Sequence, residues 1–158
     1  MRDPVRSYRE SAVRGASPIG LIVILYGEIV RSIRKAQRAL GAGNIEDRSN
    51  ALTHVAEVIG YLQSILDFER GGQVARELSQ FYGLMRAQVF EVNVSPTHEG
   101  LEALANQFEK VATAWEQTDR AASEQAKVSN NSTTDILSTS IPSRSEAAAE
   151  SQLAALGR

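Results

Sequence analysis

Four stretches of this chain carry apolar residues at alternating spacings of three and four, and Gly or Pro breaks separate them. Such a pattern lays one stripe along one face of a helix, so each stretch needs a neighbour to cover it. In the first stretch Ile22, Leu25, Ile29, Ile33, Ala36 and Leu40 form the stripe, which ends at Gly41-Ala42-Gly43. The second carries Leu52, Val55, Ile59, Leu62 and Leu66, and its end is expected at Gly71-Gly72. A third carries Val74, Leu78, Phe81, Met85, Val89 and Val92, up to a break at Asn93 to Thr97 that contains Pro96. The fourth carries Leu101, Leu104, Phe108, Val111 and Trp115. Loops of a few residues cannot carry the chain back along a helix, so consecutive helices must run antiparallel. The expected fold is all-α: an antiparallel up-down-up-down four-helix bundle over residues 17–128. A short N-terminal segment, residues 1–16, precedes it, and a disordered Ser-rich tail, residues 129–158, follows.

Local signals agree with the stripes. Ser17 suits an N-cap, and Pro18 suits the first helical position, where its missing N–H costs nothing. Asn44 can cap the second helix with Asp47 at its third position. The apolar run Leu21 to Tyr26 is far shorter than the roughly 20 residues a membrane helix needs, so no integral membrane segment is expected. Acidic Asp3 and Glu10 and the lack of a small-residue cleavage site count against a secretion signal.

Charge and composition narrow the function. With 17 Lys+Arg against 19 Asp+Glu the net charge is -2, which argues against a nucleic-acid partner. Residues 1–40 hold eight basic and three acidic side chains. Arg31, Arg34, Lys35 and Arg38 there read as a solvated helix face. The chain has no cysteine, and the Glu-x-x-His spacing of a di-iron bundle is absent: Ala51 precedes His54 and Ser95 precedes His98. His54 and Glu57, three apart, read as a surface pair. Nucleophile motifs and phosphate loops are missing as well. The expectation is a protein that is not an enzyme and uses no metal or cofactor.

Apolar surface is in excess. Val58, Tyr61, Ile65 and Phe68 make a second stripe on the second helix, rotated by about 100° from the first. A bundle helix uses such breadth either to touch two neighbours or to offer a groove to an amphipathic partner helix. The sequence leaves both open. Gly27, Gly60 and Gly83 lie inside helices at a cost of about 1 kcal/mol each against alanine. Close approach of a partner's backbone or tight packing within the bundle would each offset it. The terminal "AAAESQLAAL" reads as idle tail or as a nascent helix that orders on a partner.

The segments "YRESAVRGASPIGLIVILY", "ALTHVAEVIGYLQSILDFERGG" and "LSQFYGLM" resemble the flagellar secretion chaperone family FliS. The matching features are Tyr8, Ala16-Ser17-Pro18, Leu25-Tyr26, Leu66-Asp67 with Gly71-Gly72, Leu78 with Tyr82, and Trp115, in order from Tyr8 to Trp115. Gly27-Glu28 stands where family members often carry Asp-Gly, and the tail beyond Arg120 has no counterpart in the pattern. The resemblance implies a cytoplasmic chaperone that binds the disordered C-terminal segment of flagellin, prevents its premature polymerisation and helps present it to a component of the export gate. It also implies that the segment before Ser17 covers the client groove when no client is bound, with Tyr8 as its apolar anchor. Partner contacts are expected from Tyr8, Ser17, Pro18, Leu21, Leu25 and Tyr26, from Val58, Tyr61, Ile65 and Phe68, and from Leu78, Tyr82 and Met85.

Overall fold

The computed structural model describes residues 18–131, which form four α-helices. They are α1 (Pro18–Gly41), α2 (Ile45–Ser64), α3 (Phe68–Val94) and α4 (His98–Asn131). Helix α1 packs against both α2 and α4, α2 packs against α3, and α3 meets α4 only sparsely. The short loops make successive helices antiparallel, and the order around the bundle is that of the chain. The N-terminal segment, with Tyr8 and Ser17, lies outside the described residues, as does the chain beyond Asn131.

The helix boundaries follow from local chemistry. At the end of α1 the Asn44 N–H reaches the Ala39 carbonyl at 2.9 Å and the Gly43 N–H reaches that of Leu40 at 3.1 Å. This paired closure requires a left-handed residue, which Gly43 supplies with φ of 70°. Asn44 then caps α2, its side-chain oxygen accepting from the Asp47 N–H at 2.9 Å. Thr97 caps α4 by accepting from the Gly100 N–H at 2.9 Å.

Two boundaries differ from the sequence expectation. Helix α2 stops at Ser64 instead of Gly71-Gly72. Ser64 donates to the Tyr61 carbonyl at 2.7 Å. Asp67 then accepts from the Glu69 and Arg70 N–H groups, both at 3.0 Å, and so opens a new helix. A charged N-cap outcompetes continuation of α2 here. The glycine pair lies inside α3, where Gly72, with φ of 50° and ψ of -125°, kinks it. Phe68 therefore belongs to the first turn of α3 and not to the second stripe of α2. Helix α4 also outlasts its apolar stripe: residues 129–131, assigned by sequence to the tail, are helical, and every side chain from Arg120 to Ser129 is exposed.

The core is built from the four stripes. Ile22, Ile29, Ile33, Leu52, Val55, Ile59, Leu62, Leu101 and Phe108 are all fully buried, with Met85, Val89, Leu104 and Trp115 nearly so. Tyr26, at the centre of α1, is fully buried and donates to the hydroxyl of buried Tyr82 at 3.0 Å. Its ring lies 6.0 Å from that of Phe108 and 6.5 Å from that of Trp115. One side chain thus joins α1 to the opposite helix α3 and to α4. On the surface Arg34 pairs with Glu102 and with Glu109, tying α1 to α4. Glu28 reaches His54 at 3.1 Å, tying α1 to α2.

A carboxylate at Leu62 would be buried without a partner and should cost several kcal/mol, a large share of a marginal stability. Leu62→Glu is expected to unfold the bundle or lower its melting point sharply, whereas Ile65→Glu, at the half-buried C-cap of α2, should move it far less. Thermal melts by circular dichroism compare the two. Burial, reinforced by the neighbouring Tyr82 hydroxyl, raises the Tyr26 pKa well above its ordinary value, despite an opposing contribution from Trp115. A raised folded-state pKa means that the associated stability is complete below the ordinary tyrosine range, about 10, and is lost as pH rises through the folded value. The melting point should therefore fall above pH of about 10, and Tyr26→Phe should flatten that fall.

Candidate functional site

A groove of about 550 Å³ runs between α2 and α3. Leu52, Thr53, Ala56 and Gln63 line it from α2; Gly83, Arg86, Ala87, Val89, Phe90 and Asn93 line it from α3. At one end the Gln63 amide closes it by donating to the carbonyl and hydroxyl oxygens of Ser79, both at 3.2 Å. Its width comes from residue size. Ala56, Gly83 and Ala87 stand where larger side chains would fill the space between the helices.

On α3 the stripe Gly83, Ala87, Phe90, Val94 has spacings of four, three and four, so it lies along one side of the helix, rotated about 100° from buried Tyr82. Phe90 and Val94 are 71% and 66% exposed. A stripe with this period, left uncovered by the described residues, matches the ridge of an incoming amphipathic helix. Gly60, on the same side of α2 as Ala56 and Gln63, and Gly83 both have open space where a Cβ would stand. Packing within the bundle therefore does not explain either glycine.

The partner residues expected from sequence are divided by the fold. Tyr26, Tyr82 and Met85 are buried in the core, and Val58 is nearly so, at 8% exposure. They shape the bundle from inside and offer no surface in this state, because each sits on the inward face of its helix. Leu25 and Leu78 are half-buried against that core. Leu21 and Ile65 are half-buried too, and Tyr61 is 48% and Phe68 49% exposed. Leu21 and Leu25 on α1, with Tyr61 and Ile65 on α2, lie on the sides joined by the Glu28–His54 contact. They border a second seam, between α1 and α2. Pro18 opens α1.

Sequence reasoning passed over the α2–α3 groove residues Ala56, Ala87, Phe90 and Val94. The available signal was the four-three-four spacing of Gly83, Ala87, Phe90 and Val94, one step around α3 from its core stripe. Two of its members are too small to register as hydrophobic pattern. Among the described residues no group of three or more His, Asp or Glu could hold a metal ion. Nor is any described helix long and apolar enough to cross a membrane.

A family model described as flagellar protein FliS matches residues 1–122. The chain is 31% identical over 115 residues to the flagellar secretion chaperone FliS of Salmonella typhimurium, which covers 72% of this chain and 85% of that protein. It is 26% identical over 121 residues to the flagellar secretion chaperone FliS of Vibrio cholerae, covering 74% and 89%. With the flagellar secretion chaperone FliSB of Pseudomonas aeruginosa the identity is 28% over 107 residues, covering 68% and 85%.

If the two groove glycines are kept for space alone, alanine at either position gains helix propensity without a clash. Gly60→Ala and Gly83→Ala should each stabilise the free protein by about 0.5–1 kcal/mol. Gly72→Ala, forced into a left-handed conformation, should destabilise it. Urea denaturation at constant slope distinguishes the two signs.

Proposed function

The chain belongs to the FliS family, and from that premise we propose that it is a flagellar secretion chaperone whose client is the C-terminal segment of flagellin. Its relatives carry the name of chaperones and not of enzymes. The observation that carries the reading is the apolar groove between α2 and α3, which none of the described residues covers.

A client segment that is disordered alone folds as it binds, laying one apolar face into the groove and losing part of the interaction energy to ordering. Phe90 stands exposed where it can become the buried aromatic anchor of such a contact. Ala56, Gly83 and Ala87 let the client backbone come close. The seam bordered by Leu21, Leu25, Tyr61, Ile65 and Phe68 is proposed as a second contact, so that a client with two helices wraps around α2. Covering the polymerising segment in the cytoplasm keeps flagellin monomeric, and the complex is then delivered to the export gate. Tyr26, Tyr82 and Met85 hold α3 in register and so keep the groove in shape.

A charge at Phe90 disturbs no packing within the four-helix bundle, where the ring is 71% exposed, and is buried when the client arrives. Phe90→Glu should leave the melting point nearly unchanged and weaken binding of a flagellin C-terminal peptide by about tenfold or more, the loss of a central anchor. Isothermal titration calorimetry measures it. Unchanged affinity would remove the α2–α3 groove as the docking surface.

A further inference from the structure

We propose that this groove has an internal occupant: residues 145–156 at the C-terminal end of the chain fold back as a short helix and cover it when no client is bound. The tail lies beyond residues 1–122, which the family model matches, so it is an addition to the common bundle. Its last stretch, "SEAAAESQLAAL", is dominated by strong helix formers. Ser143 and Glu146 stand at the spacing of a capping box, and Gly157 follows where a helix end belongs. In a helix, Ala149, Leu153 and Leu156 share one face, at spacings of four and three.

Three features select the groove as its seat. The first is size. A helix carrying mostly alanine approaches closely where the facing residues are Ala56, Gly83 and Ala87. The second is charge. Arg86 is the one charged residue lining the groove, and Glu146 and Glu150 flank the apolar face of the tail helix on one side.

The third is reach. Phe81 packs against Phe108, and a side chain on Gly100 would meet Val92, so Gly83 is level with about residue 107 of α4. From there to Asn131 the helix runs about 36 Å, and crossing the width of α3 brings the span to about 40 Å. Residues 132–144 extend to about 43–47 Å, enough to reach. The linker's r.m.s. length is about 20 Å, so reaching the groove draws it nearly straight. The effective concentration then falls well below that of a relaxed tether, and the docked contact itself must hold the tail. The consequence rests on the reading of the groove as the client site. Tail and flagellin then compete, as does the segment before Ser17 that the family resemblance implies over the client groove, and apparent client affinity falls in proportion to tail occupancy.

The chain contains no cysteine, so Ser151→Cys, on the polar face of the tail helix, takes a single nitroxide label in the full-length protein. Amide signals of Ala56, Gly60, Gly83 and Ala87 should lose at least half their intensity, while those near Arg34 and Glu109 on the far side should not. Adding Leu153→Glu and Leu156→Glu should restore them. Broadening confined to the end of α4, or spread evenly over the bundle, overturns the proposal. So does broadening that vanishes when labelled chains are diluted with unlabelled ones, which assigns the contact to a second copy. Excess flagellin C-terminal peptide should restore the groove signals. If the tail broadens them and the peptide leaves them broadened, tail docking stands and the groove fails as the flagellin site. If the peptide shifts them but the label never broadened them, the tail proposal fails alone.

Discussion

The hydrogen bond between Tyr26 and Tyr82 is the contact around which the bundle is arranged. Helices α1 and α3 are not neighbours in the ring of four, and their backbones do not approach closely. Two long side chains meet across the core instead, their hydroxyls 3.0 Å apart, with the Phe108 and Trp115 rings of α4 tilted against that of Tyr26. A buried phenol without a partner would be costly, so the two hydroxyls specify the register of α3 against α1 in a way that aliphatic contacts do not.

That constraint matters because α3 is otherwise lightly held. It touches α4 sparsely, and toward α2 its small residues leave a groove open. Its supports are buried Ala75, Met85 and Val89, the tyrosine pair, the Phe81 ring against Phe108, and the Gln63–Ser79 contacts at the far end from Phe90. The same economy that lowers packing on this side leaves the apolar surface on which the proposed client helix would lie. A bundle that filled the groove with larger residues would bury more area and have nothing left to offer. The kink at Gly72 separates the first turn of α3, with exposed Phe68, from the long segment that carries the groove.

Much of this was legible in the chain. The second and fourth apolar stripes match buried residues throughout or nearly so, and the Asn44 cap and the Gly43 turn are where their side chains and φ preferences demand. The boundary between α2 and α3 was not legible, because two terminators compete within six residues. Gly71-Gly72 is the louder signal by composition, yet Asp67 acts first, satisfying two N–H groups before the glycines are reached. The site was legible only in part. Tyr26 and Tyr82 carry polar tips that suit a surface as well as a core, so nothing local distinguishes a partner contact from a buried pair. Phe90 and Val94 lie one step around α3 from its core stripe, on a face whose other members, Gly83 and Ala87, are too small to register as a hydrophobic pattern.

The sequence by itself determined the helices, their number and their antiparallel order, because periodicity and capping act over a few residues and short loops leave one topology. It also carried the family resemblance, which depends on the order and spacing of residues. Only the tertiary structure decided which apolar surface is spent inside and which is left over. Burial is a property of pairs of helices: Ala56 opposite Gly83 makes a groove, whereas Tyr26 opposite Tyr82 makes a core, and neither partner is visible from the other's place in the chain.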